Sequence, residues 1–160
     1  MFREATAVTK LNAATSAPPK ARPGAPRDLV NVMLGAAEKL RSHPKLNSAR
    51  ALLDRSGEEL AAMLDPERRP DWAWFEIMFG DDACRLPEAL LRAGRALGRD
   101  DFVDRGLSTL EWMLGGRVLH KCLDTMADAC DAAFAATGDL KWLMLSRTAI
   151  LERRVRQRGS

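Results

Sequence analysis

Glycoside chemistry asks a protein for two carboxyl groups across the scissile bond, one protonated and one ionised. Between Trp72 and Arg85 the chain gathers Glu76, Asp81 and Asp82 among the aromatic residues Trp72, Trp74, Phe75 and Phe79, and Asp124 is a further acid downstream. Aromatic rings stack on sugar faces, which makes Trp74 a platform for a saccharide. The same cluster also suits a helix core, because Trp72, Phe75 and Phe79 lie at i, i+3 and i+7 and place Trp74 on another side. Arg85 has two readings: a partner for Asp81, Asp82 or Glu76, or a phosphate-binding group. An acid ahead of a helix is equally a capping group, so Asp82 can also be read as the cap of the helix containing Leu86 to Leu97.

Other chemistries find less material. Cys84, Cys122 and Cys130 form no CxxC pair, and only His43 and His120 could join them, so no metal site and no cofactor are expected. Cys122 and Cys130 lie two helical turns apart, about 12 Å, too far for a disulfide. Buried thiols in a reducing, cytoplasmic setting are the simpler reading. His120 beside Cys122 lacks a third, orienting group, and no GxSxG, HExxH, Walker or GxGxxG motif occurs.

The elements that must hold these residues are helical. Residues 1–26, with Pro18, Pro19, Pro23 and Pro26, read as a disordered arm; residues 27–152 read as a helical-hairpin domain and residues 153–160 as a basic tail. The spacing of Leu29, Met33, Ala36, Ala37 and Leu40 predicts a helix from about Asp28 to Ser42, ended by Pro44. A short helix is expected over Leu46 to Leu53, and Ser56 with Glu59 has capping-box spacing for another that carries Leu60, Met63 and Leu64.

Further on, Gly98 and Gly138 each divide two helical runs, 40 residues apart. At that shift Ala89 falls on Ala129, Ala93 on Ala133, Phe102 on Trp142, Val103 on Leu143 and Leu110 on Ile150. The pattern is that of an antiparallel αα-hairpin array, all-α, in which no hairpin buries its apolar face alone.

The segment Trp72-Ala73-Trp74-Phe75-Glu76 to Asp82, followed by Arg85-Leu86-Pro87-Glu88-Ala89-Leu90-Leu91, resembles the WRWFE…YDNARLPEALL signature of the six-hairpin glycosidase-like region associated with bacterial glycosyltransferases. Gly106 to Leu114 is similar to that family's GL.SL.WL helix. Met126-Ala127-Asp128-Ala129-Cys130, with Ala136-Thr137-Gly138-Asp139 and Trp142-Leu143, resembles its M(V/A)(E/D)AC…ATGD..WL stretch. The matched blocks cover about half the chain.

The resemblance implies a partial (α/α) toroid, bacterial carbohydrate metabolism and a saccharide ligand. It keeps an acid at Asp82, the candidate catalytic residue, for which Glu76 or Asp124 could supply the second carboxylate; it covers Trp74 and Phe75 without separating sugar platform from core, and Trp74 and Arg85 stand as the candidate substrate contacts. The departures count against catalysis. Only Gly115 to Leu123 separates the blocks where relatives carry several tens of residues, Asp81-Asp82-Ala83 replaces Tyr-Asp-Asn, and Lys121-Cys122 replaces Gln-Pro. The expected function is therefore a helical domain of the carbohydrate-enzyme lineage, accessory to or derived from a glycosyltransferase, with vestigial catalysis or none. The alternative is an αα-repeat module that binds a protein.

Charge and apolarity bear on partners. The chain of 160 residues is 46% hydrophobic, enough for one core without staples. No run approaches the roughly 20 apolar residues of a membrane span, so no membrane role is expected. Two basic ends, residues 1–27 and 152–160, together exceed the whole chain's net charge of +3, so the stretch between them is net acidic. Those ends lack stacking aromatics apart from Phe2, which disfavours nucleic acid. An open arc of hairpins leaves its last helix bare, so a homodimer or a protein partner is expected against Trp142 to Leu151.

Overall fold

The computed structural model describes residues 25–64, 70–115 and 122–160, except the Trp72 side chain. Most of the 1–26 arm, together with His120 and Lys121, lies outside the described residues. Helices dominate: α1 Pro26–Ser42, α2 Asn47–Met63, α3 Trp72–Phe79, α4 Arg85–Leu97, α5 Asp100–Gly115, α6 Leu123–Thr137 and α7 Leu140–Arg158, with a 3₁₀ turn at Gly80–Asp82. No strand occurs among the described residues.

The helices pair as three hairpins, α1/α2, α4/α5 and α6/α7, and α1, α4 and α6 pack side by side in one layer with α4 in the middle. Helices α2, α5 and α7 pack on the partners that precede them. Helix α1 makes no substantial contact with α6 or α7, so the array stays open.

Both glycine turns form as the repeat requires. Gly98 and Gly138 end α4 and α6 with φ of 69° and 72°, and their N–H groups close the last turns on Gly94 O and Phe134 O. Left-handed backbone there suits a residue without Cβ. The matched alanines Ala89, Ala93, Ala129 and Ala133 are fully buried, as are Phe102 and Trp142 at the openings of the second helices. Asp139 caps α7 by accepting from Lys141 N–H.

Three sequence expectations need correction. The two short helices expected over residues 46–64 are one continuous α2. Ser56 and Gly57 are not its start but its closest approach to α5: a Cβ on Gly57 would lie 2.5 Å from the Phe102 ring. Leu53, Ser56, Gly57 and Leu60 thus form one buried face at i, i+3, i+4 and i+7. Second, Trp74 does not stand apart from the aromatic stripe, since its ring meets Phe75 and Phe79 edge-on at centroid distances of 5.0 and 5.9 Å. Third, α7 carries helix through residues 153–158, which the sequence reading set apart as a tail.

Candidate functional site

Helix α4 sits at the centre of the layer and therefore buries most of its surface, yet it carries Arg85, Glu88, Arg92 and Arg95 at i, i+3, i+7 and i+10. That spacing keeps all four on one face. The face opens into a groove of about 650 Å³ between α1, α4 and α6. Glu38 and Arg41 reach it from α1, Arg50 from α2 and Asp131 from α6, over a floor that includes Leu34, Leu91 and Ala132. Five guanidiniums and three carboxylates line it, and no aromatic ring does.

Glu88 anchors the cluster. The residue is only 2% exposed, and Arg92 Nε donates to its Oε1 at 2.8 Å while Arg85 Nη1 donates to its Oε2 at 2.8 Å. A carboxylate held out of water persists only when such bonds replace its hydration. Arg85 Nη1 also lies 3.0 Å from Asp128 Oδ2 on α6, so one guanidinium ties two helices. Burial pulls the Arg85 guanidinium down, but its bonds to Glu88 and Asp128 hold it above its ordinary value. Arg95 and Asp131 have no ionic partner among the described residues and face the same groove. The arrangement offers fixed donors beside fixed acceptors, suited to a ligand dense in hydroxyl or anionic oxygen.

The sequence candidates fall in different places. Arg85 lines the groove, but its partners are Glu88 and Asp128 instead of Asp81, Asp82 or Glu76. Asp82 is an exposed residue of the 3₁₀ turn, and Glu76 is an exposed residue of α3. Trp74 is half-buried against Phe75 and Phe79. None of Trp74, Glu76 and Asp82 lines the groove. Nor is Asp82 the N-cap of α4, a position taken by Cys84 without a side-chain cap bond. Asp124 is highly exposed, 3.6 Å from Arg153.

Glu88, Arg92, Arg95 and Asp128 were missed as site residues. For Glu88, Arg92 and Arg95 the signal is a polar stripe with helical spacing on an otherwise apolar helix, legible once α4 is assigned. Asp128 carried no such signal, because its meeting with Arg85 depends on how α6 docks.

The thiols form a second cluster. Cys84, Cys122 and Cys130 are buried and free. The neighbouring Cys122 sulfur, which accepts from the Cys84 thiol, raises Cys84 strongly, and burial adds to this. The same bond lowers Cys122 against the opposing effect of burial. Burial pushes the Cys130 thiol up to about 12. The close pair is thus Cys84 with Cys122, joining the start of α4 to the start of α6. Among the described residues, no three His, Cys, Asp or Glu side chains converge as a metal-binding set. No helix among them is long and apolar enough to cross a membrane.

No protein-family model, no curated protein and no solved structure matches the chain.

Proposed function

We propose that this chain is a saccharide-binding helical domain of the carbohydrate-enzyme lineage, working beside or derived from a glycosyltransferase, without autonomous catalysis. The observation that carries the reading is the Arg85 bridge. Arg85 and Glu88, which line the groove, belong to the first segment that resembles six-hairpin glycosidase-like regions, and Asp128, which Arg85 also engages, belongs to the second.

Guanidiniums donate in pairs to vicinal oxygens, and carboxylates accept from hydroxyls. The absence of an aromatic floor from the groove favours saccharides that bear carboxylate or phosphate over neutral ones. Catalysis is not part of the reading. Glu88 is the buried acid of the groove and both its oxygens are engaged by arginines, so neither is turned toward a leaving group.

Calorimetry of the full chain with a uronic-acid disaccharide tests this. Arg95→Ala removes a groove cation that supports no ion pair among the described residues and should weaken binding about tenfold while leaving the unfolding midpoint unchanged. Equal binding by wild type and Arg95→Ala, or no binding at millimolar ligand, contradicts the assignment of this groove.

A further inference from the structure

Helix α7 buries Trp142, Ser146 and Ala149 against the body. Its opposite side is apolar too: Leu140, Met144, Leu151 and Val155 are 64%, 69%, 61% and 70% exposed. At 100° per residue these four fall within an arc of about 60°. Residues 151–158 are helical and exposed throughout, with Arg153 reaching toward Asp124 of α6, so the last two turns bury little against the array. An isolated helix end of that length is marginal in water.

Arginines border the same arc. Arg147, Arg154 and Arg158 lie on its edge at i, i+7 and i+11 and have no acid partner among the described residues. The nearby acids are otherwise engaged: Glu111 and Asp139 pair with Lys141, and Asp124 lies near Arg153. Glu152 is the only acid within α7, and it falls outside the arc.

From these observations we infer that the exposed face of α7 is a docking seam for one acidic amphipathic helix of a different protein. An apolar stripe of this width is narrower than the face by which a helix joins a core; its two pairs, Leu140 with Met144 and Leu151 with Val155, are separated by Arg147 and Thr148 and leave room for one helix. Three unpaired guanidiniums along its edge require carboxylates at heptad spacing on the partner.

A second copy of this chain is the wrong occupant. Antiparallel pairing that sets Met144 against Leu151 brings the two Arg147 side chains close together with no acid in the arc to offset them, while parallel pairing stacks each arginine on its equivalent. An anionic bilayer fits poorly as well, because interfacial helices present a broad apolar face with aromatic residues, and this stripe has neither. The inference concerns the opposite end of the array from α1 and does not depend on the saccharide reading.

The probes are two labelled synthetic peptides of four heptads, with leucine at both seam positions and either glutamate or lysine at the flanking positions. Anisotropy titrations with the full chain should show binding of the glutamate peptide, weakened about tenfold by Met144→Glu or Leu151→Glu and weakened by added salt. Arg147→Glu with Arg154→Glu should transfer the preference to the lysine peptide. All four positions are exposed, so circular dichroism should match wild type. Equal binding of both peptides, a dimer of the chain alone by sedimentation, or binding to phosphatidylglycerol vesicles without binding to the glutamate peptide would each overturn the inference.

Discussion

Glu88 retains its place at the centre of the packed layer because Arg85 and Arg92 reach it from solvent with their own heads partly exposed. Removing the carboxylate frees two arginines that can turn to water, so the loss is smaller than for a fully enclosed pair. Glu88→Ala should lower stability by about 1–3 kcal/mol, read as a fall in the urea midpoint with unchanged slope. The thiols make a second residue-scale test. Native protein at pH 8 should react with an aromatic disulfide reagent at least about a hundredfold more slowly than unfolded protein, since all three sulfurs are buried. Cys130 also ties stability to pH. Its folded value of about 12 exceeds the unfolded value, so the unfolded chain loses the proton first and the contribution fades as pH rises from about 9 to about 12. The stability advantage of wild type over Cys130→Ala should therefore shrink over that window.

At the scale of elements, what the sequence made legible was what depends on local pattern. Gly98 and Gly138 mark their turns because left-handed backbone is a local demand, and Ala93 and Ala133 are recognisable by repetition. Ser56 misled because capping-box spacing is also local, whereas the small residue beside it, Gly57, is required by Phe102 on another helix, 45 residues away. Arg85 could be picked out beside acids, but the acids that engage it could not be chosen before α4 and α6 were docked.

Close approach has a measurable signature. A Cβ at Gly94 would lie 2.6 Å from Val103 Cγ2 and 2.8 Å from Arg99 O, so Gly94→Ala should push α5 from α4 and cost about 1–3 kcal/mol. Gly35, on the exposed side of α1, meets nothing within 4 Å, and Gly35→Ala should stabilise by about 0.4–1 kcal/mol through the unfolded chain. Opposite shifts of the two thermal midpoints check both statements together.

For the molecule as a whole, three hairpins leave an open groove without closing a ring. One buried acid, already engaged by two arginines, and an open groove lack the paired carboxylates and enclosure that stabilise an oxocarbenium-like transition state. The full chain should therefore leave an aryl glycoside intact; turnover abolished by Asp82→Asn would restore the acid that the resemblance implies. The central claim is that ligand recognition belongs to the groove and not to the aromatic turn around Trp74 and Asp82. Amide chemical-shift mapping with a uronic-acid disaccharide separates the two directly. The account predicts shifts at Glu38, Arg92, Arg95 and Asp131, with Trp74 to Asp82 unmoved. Shifts confined to Trp74, Glu76 and Asp82, or none at millimolar saccharide, would contradict it.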